Sequence, residues 1–360
     1  MPIMTSPDVI STNIQGLRWP AEWEPHSATW LTWPHNTYDW PAKFSPIPYV
    51  FSEFCRILTR GETVRLIVKN AFARKQSERI LKNEGIPLEK IELFHAPTNR
   101  SWIRDNGPIF IKKGTQLFVT DWKFNAWARY PDWQWDNEIP KLIAGKYKIP
   151  HLIPRYHFRG KQRQVVLEGG SIDSNGAGTL LTTEECLLSK KQRRNPGFLR
   201  ETWEKVFLQF FGIRKTIWLK NGLTGDDTHG HVDDLARFVN KNTVVAVREY
   251  NRKDINYNPL LENQKILKSA RDHQGKQLNI VELPLPKPVY YRKQRLPASY
   301  ANFYIANSAV LVPVFNDEND RVALTILAEA LSPKPVVGIY CRDIILGQGS
   351  IHCLTQQQPY

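Results

Sequence analysis

The chain has 360 residues, 41% of them hydrophobic, with 12 Trp, 13 Tyr and 16 Phe, enough apolar surface to build a large core and to exclude an intrinsically disordered chain. A net charge of +14 raises nucleic-acid binding as a function. The basic runs Lys190-Lys191-Gln192-Arg193-Arg194 and Arg292-Lys293-Gln294-Arg295 lie about a hundred residues apart without interleaved aromatics, so they read as solvated loops and no nucleic-acid partner is expected.

Residues 1–15 show neither the basic nor the apolar region of a signal peptide and are expected to be a flexible lead-in. No apolar run approaches the length of a membrane span, so no membrane partner is expected. The four cysteines, Cys55, Cys186, Cys341 and Cys353, are unevenly spaced with no CxxC pair, which fits free thiols in a reducing, cytoplasmic compartment. No Gly/Ser linker divides the chain, so one domain is expected over 1–360.

The first elements alternate strand and helix: a strand over 28–33, a helix over 49–60 whose Phe51, Phe54, Cys55 and Leu58 share one face, a strand over 64–68, a helix over 71–83 and a strand over 91–94. Cys55 thereby falls on a core stripe. From there a hairpin pattern recurs: 109–111 with 117–119, 165–167 with 179–181, 235–239 with 244–247, and 303–305 with 310–312. A return of the pattern every 60 to 70 residues indicates a repeated βα module. Asp105, Glu168 and His231 follow the same rhythm in equal steps of 63 residues, each beside a hairpin. Modules set around an axis would bring those side chains together.

Four segments carry chemistry. Trp102-Ile103-Arg104-Asp105 precedes a Gly-Pro turn, which suits either a site loop or an Arg-Asp ion pair beside a core Trp. Glu168-Gly169-Gly170 ends an apolar run with a carboxylate and two glycines, suiting a close ligand approach or a simple turn. Between Asp226 and Asp234 stand two histidines and four carboxylates; no HExxH pattern or facial triad accompanies them, so His231 with Asp233 reads as acid-base chemistry in preference to a metal centre. Cys353, set off by Gly347 and Gly349, reads as a thiol nucleophile served by a distant His and carboxylates.

Together these segments, with Pro20-Ala21-Glu22-Trp23-Glu24-Pro25-His26, Trp33-Pro34-His35-Asn36, Thr183-Glu184-Glu185-Cys186-Leu187-Leu188, Gly230-His231-Val232-Asp233, Ala298-Ser299-Tyr300-Ala301-Asn302-Phe303 and Ile351-His352-Cys353-Leu354-Thr355-Gln356-Gln357-Gln358-Pro359, resemble the agmatine deiminase branch of the guanidine-modifying superfamily, which also holds bacterial peptidylarginine deiminases. The resemblance implies an α/β fold of five modules around a pseudo-fivefold axis, the pentein propeller. It places Cys353 on the nucleophile, His231 on the general acid-base, Asp105 and Asp233 on the guanidinium-gripping carboxylates, Glu168 on the carboxylate partner of His231, and Trp102 and Asn302 on pocket positions. It further implies a small guanidine substrate such as agmatine, no metal or organic cofactor, and a homodimer.

Two departures stand out. Gln348 and Ser350 replace a usual GGGN, and Asp173 replaces a plant-type His; both are expected on the pocket wall. Agmatine is expected over arginine, because the one cation in the matching segments, Arg104, follows strand alternation away from Asp105 and leaves an α-carboxylate without a partner.

Overall fold

The computed structural model describes residues 8–9 and 14–360. Most of the lead-in expected over 1–15 lies outside the described residues, although Asp8–Val9 forms a short strand antiparallel to Arg155–Phe158.

Five sheets share one plan, an antiparallel first pair followed by a parallel third strand. The first sheet sets Gln356–Pro359 antiparallel to His26–Thr32, then Thr63–Val68 and Ile91–His95 in parallel. The second pairs Ile109–Lys113 with Gln116–Thr120 and adds His151–Leu152. The third pairs Ile172–Ser174 with Thr179–Thr183 and adds Lys215–Leu219. The fourth pairs Ala236–Phe238 with Thr243–Arg248 and adds Asn279–Pro284. The fifth pairs Tyr304–Ile305 with Val310–Val314 and adds Val336–Tyr340.

A parallel neighbour needs a crossover, and each is supplied by a helix. These are Ile47–Leu58 and Ala71–Asn83 in the first module, then Ile139–Tyr147, Arg200–Phe211, Tyr257–Ser269 and Asn319–Ala330 in the others. The helices form where the sequence allows. Pro48 sits in the first turn of Ile47–Leu58, where a missing N–H costs nothing, and Phe51, Phe54, Cys55 and Leu58 are fully buried. The Asn70 side chain accepts from Ala73 N at 2.9 Å and starts Ala71–Asn83. Gly212, at φ +69°, ends Arg200–Phe211 in a left-handed cap.

Adjacent modules are joined in sequence round to the first, so the five close into a ring. Arg104 Nη1 donates to Gln357 at 2.7 Å, and Gly170 N to Asp105 at 3.0 Å. Arg237 Nε reaches Asp173 at 2.7 Å and its Nη1 reaches Phe303 O at 2.8 Å. The Tyr304 and Thr29 hydroxyls meet at 2.7 Å. The first module is thus built from both ends of the chain.

The hairpins stand where expected except one. Val165–Leu167 does not pair with Thr179–Thr183; Ile172–Ser174 does, because Gly169–Ser171 forms a 3-10 turn after Glu168 and the hairpin strand begins beyond it. Arg104 and Asp105 lie on a helical turn, Ile103–Asn106, and not on a strand.

Candidate active site

In three modules a short helical turn runs into the first strand of the hairpin, and in the first module a plain turn runs into the strand from the chain's C-terminal end; the site residues sit on these turns or just before them. Trp102 precedes Ile103–Asn106, which carries Asp105; Glu168 precedes Gly169–Ser171; His231 precedes Val232–Asp234, which carries Asp233; and Cys353 lies in the turn leading to Gln356–Pro359. In the fifth module Asn302 stands just before Tyr304–Ile305. Repetition of one local plan in a closed ring brings residues 249 positions apart into contact: Arg104 N donates to Cys353 O at 3.2 Å.

All seven residues are buried, and Cys353, at 6%, is the most exposed. With Trp102 and Asp105 it lines a cavity of about 490 Å³. Its Sγ accepts from Asn302 Nδ2 at 3.1 Å and lies 3.7 Å from Asp233 Oδ2. Asn302 fixes the turn as well, its Oδ1 accepting from Ser350 Oγ at 2.8 Å and His352 N at 3.0 Å. It therefore holds the thiol, whereas a place on the cavity wall had been expected.

His231 stands between carboxylates, Nδ1 3.8 Å from Asp105 Oδ1 and Nε2 3.7 Å from Glu168 Oε2. Both its nitrogens, Glu168 Oε2 and Asp233 Oδ1 are buried polar atoms without a hydrogen-bond partner, so four such atoms of three ionisable side chains stand together here. A Cβ at Gly170 would fall 2.6 Å from His231 Nδ1, 2.9 Å from Asp105 Oδ1 and 3.0 Å from Asp233 Oδ2, so only glycine fits where the three converge. A Cβ at Gly349 would likewise meet Trp102 at 2.9 Å and Cys353 Sγ at 3.1 Å.

The electrostatics follow from burial and neighbours. Burial alone would lower the basicity of His231, but Asp105, Cys186 and Glu168 outweigh it and hold the imidazole well above its ordinary value. Burial would raise Glu168, yet Arg194, whose Nε donates to Oε1 at 3.1 Å, and His231 bring it down to about 2. Burial, with Asp233 and Glu168 adding to it against His231, pushes Asp105 up to about 6. Burial again, with Asp233, Asp234 and Asp105, pushes the Cys353 thiol well above the ordinary range.

The residues that support this site were not read from the sequence. His352 donates or accepts at 2.7 Å with Asp233 Oδ2 and at 2.8 Å with Glu22 Oε2, and so orients Asp233. Its position beside Cys353 was the available signal. Trp127 donates from Nε1 to Asp105 Oδ2 at 2.9 Å, from three successive residues, Ala126, Trp127 and Ala128, at positive φ; no motif announces it. From the sequence Cys186 reads only as a free thiol with no part in the chemistry. It is buried, but its Sγ, Glu168 and His231 offer donor atoms within 4.8 Å of one another, a set a metal ion could use. Against that use, the Arg194 guanidinium already lies on Glu168 and repels a second cation.

Two expectations about the wall are corrected. Asp173 is not on it: the side chain is buried, accepting from Arg237 Nε and from Phe238 N at 2.7 Å, so it braces the ring between modules. Gln348 does line the cavity, while Ser350 points to Asn302. Arg104 is buried against Glu22 and Gln357, away from the cavity, but a cation missed in the sequence, Arg100, does line it, bonded to Asp39 at 2.5 Å and Asp132 at 2.9 Å.

The model of the Porphyromonas-type peptidyl-arginine deiminase family matches residues 18–359. The chain belongs to that family. Among curated relatives, the agmatine deiminase of Ectopseudomonas mendocina (strain ymp) is 34% identical over 368 residues, covering 96% of each chain, and that of Stutzerimonas stutzeri (strain A1501) is also 34% identical with the same coverage. Among solved structures, the agmatine deiminase of Enterococcus faecalis, described as catalysing its reaction, has a TM-score of 0.86 at 29% identity, covering 96% of both chains. A C. jejuni agmatine deiminase with substrate bound has a TM-score of 0.84 at 31% identity, covering 98% of this chain and 99% of the other. The α/β fold is therefore that of the agmatine deiminases.

Proposed function

We propose that this family member hydrolyses agmatine to N-carbamoylputrescine and ammonia. The observation that carries the reading is the convergence of a buried thiol, an imidazole and three carboxylates, of which Cys353 and Asp105 open onto one cavity. Curated relatives and solved neighbours that share almost the whole chain support agmatine as the guanidine.

A guanidinium is planar, delocalised and weakly electrophilic, so it must be gripped as a cation and attacked by a strong nucleophile. Asp105 and Asp233 take the grip. The positive charge they receive offsets the anionic field that keeps Cys353 protonated; the thiol releases its proton to solvent as the cation binds and regains one from the O-protonated ureido product as Sγ is expelled. Sγ attacks the central carbon, and His231, kept as imidazolium by Asp105 and Glu168, protonates the departing nitrogen, which leaves as ammonia. Neutral His231 then takes a proton from water; the hydroxide adds to the thiouronium carbon and expels Sγ, leaving the ureido product. Glu168 and Arg194 hold His231 in place, and Trp102 walls the site.

The enzyme is further proposed to be a single domain over 1–360, cytoplasmic and homodimeric. The four free cysteines suit a reducing compartment, and among the described residues no helix is long and apolar enough to cross a membrane.

The deciding assay compares kcat/KM for ammonia release from agmatine, arginine and a blocked peptidylarginine in one buffer. Agmatine is expected to be the best by at least ~100-fold, since the added carboxylate of arginine would meet Asp39, Asp132 and Asp227 with Arg100 already engaged. An arginine compound equal to or better than agmatine would overturn the assignment to agmatine.

A further inference from the structure

We infer that a second cavity, bounded by Lys123, Tyr156 and Arg163 beside Arg194, binds a small oxyanion of the phosphate class. The inference goes beyond the agmatine reading and does not depend on it, because its test measures binding and not turnover.

The cavity has a volume of about 490 Å³ and shares no lining residue with the one onto which Cys353 opens. Lys123 comes just after Gln116–Thr120, Tyr156 and Arg163 from the antiparallel pair Arg155–Phe158 and Lys161–Gln164. Three cations line it, Lys123, Arg163 and Arg194, and no carboxylate does. Arg194 is already engaged, by Glu168 Oε1, Gln192 O and Thr228 O. Lys123 Nζ stands 5.4 Å over the Trp133 ring, and neither it nor Arg163 enters an ion pair among the described residues.

The neutral groups around these cations are mostly donors whose acceptor ends are occupied. Asn125 Oδ1 accepts from Ala128 N, Asn137 Oδ1 from Phe124 N and Gln162 Oε1 from Arg155 Nη1, each at 2.9 Å, while the three amide nitrogens have no partner among the described residues. Gln164 is turned the other way, its Nε2 donating to Asp121 O at 2.8 Å, and the Asp121 carboxylate is held by His151 at 2.7 Å. Tyr156 is the second, independent observation. It is 2% exposed, its ring packed edge to face on Phe198 with centroids 4.6 Å apart, yet its hydroxyl has no hydrogen-bond partner among the described residues. A hydroxyl so placed is disfavoured until something polar completes it. Burial pushes this phenol up and the Arg163 charge opposes the rise, which sets oxygen and guanidinium toward the same space.

Phosphate oxygens only accept when fully ionised, so they suit a wall of cations and free N–H and O–H groups with no rival anion. A cationic ligand would be repelled, and a neutral one would leave Lys123 and Arg163 without a counter-charge. Free phosphate and a phosphate monoester share this chemistry, and the cavity has room beyond the phosphate for the group that carries it.

The test is isothermal titration of the intact protein with inorganic phosphate and with phenyl phosphate, at fixed pH and with ionic strength held constant by NaCl. Saturable binding of one phosphate group per chain is expected. Lys123→Gln and Arg163→Gln should each weaken it at least ~10-fold, and Tyr156→Phe, which keeps the ring on Phe198, about 3-fold. Lys113→Gln, the same loss of charge on an exposed strand end, should change it by less than about 2-fold. Arg163 is exposed, so its variant keeps the test readable if Lys123→Gln fails to fold. Tighter binding of phenyl phosphate would make the natural ligand a phosphorylated metabolite; tighter binding of inorganic phosphate would make it the free ion. Absence of saturable binding by either probe would overturn the proposal. So would equal losses in Lys113→Gln and in the cavity variants, which would show attraction to basic surface at large.

Discussion

Cys353 and Cys186 are both buried thiols in the same part of the molecule, and their neighbours separate their roles. Cys353 faces the cavity with Asn302 on its sulfur; Cys186 is fixed at the start of Glu184–Leu188, its N–H donated to Thr183 Oγ1 at 3.0 Å, and faces His231. Cys353→Ala should lower kcat by ~10⁴-fold or more, since no other thiol lines the cavity. Cys55 and Cys341, fully buried and with thiols pushed far up by desolvation, should tolerate Ala with turnover intact and stability lowered by about 1–2 kcal/mol. Substantial turnover by the Cys353→Ala enzyme would remove its assignment as nucleophile. For Cys186→Ala a further effect is expected. Cys186 is among the groups that raise His231, so its loss lowers that value and the alkaline limb of the kcat profile should move to lower pH. A stability signature accompanies it: because the folded value of His231 exceeds the unfolded value of about 6.5, its contribution is fully present below about 6.5 and lost as pH rises through the folded value. A kcat profile unmoved in Cys186→Ala would leave this thiol with packing alone.

The helical turns before the hairpins are the elements that make a site out of a repeated fold, and Gly170 shows how tightly they are packed. Its φ is not in the left-handed region, so the backbone accepts Ala; the side chain is what has no room. Gly170→Ala should therefore lower kcat/KM by ~10²-fold or more by moving His231 and Asp105 apart, with a fall in Tm of only a few degrees. A variant with normal kinetics would show that the three groups tolerate a displacement. At this scale much was legible in the sequence. Helix 71–83 begins at a capping Asn and stands where the periodicity put it, and three of the four hairpins keep their expected pairing, because both signals are local. The second hairpin was misread because Val165–Leu167 is apolar and buried without being a strand of that sheet, a case in which hydrophobicity reports burial but not the pairing partner. Asp105, Glu168 and His231 could be found from their spacing, since quasi-equivalent turns carry them. Trp127 and Arg194 could not. They reach the site from irregular loops, and their relevance rests on contacts across 22 and 26 positions of chain, Trp127 to Asp105 and Arg194 to Glu168.

Over the whole molecule the charge runs against the substrate. The chain carries +14, and agmatine is a dication, so the far field repels what the carboxylates of the cavity attract. Ionic strength separates the two. At about 0.01 M salt the Debye length is roughly 30 Å and the substrate feels the charge of the entire protein; at 0.15 M it is roughly 8 Å and mainly the residues around the cavity mouth act. Asp39, Asp132 and Asp227 against Arg100 give that mouth an anionic excess. Added salt removes the repulsion first and the short-range attraction last, because partly buried groups are screened least. The kcat/KM for agmatine should accordingly rise by about 2- to 5-fold between 0.01 and 0.15 M salt and then level off, with kcat almost unchanged, since the bound complex is already desolvated. Butylguanidine, a monocation, should respond about half as steeply on a logarithmic scale. The measurement is a series of progress curves at fixed pH in increasing NaCl. A monotonic fall in kcat/KM with salt would mean that the local carboxylates govern approach as well as binding, and that the basic surface lies too far from the mouth to be felt there.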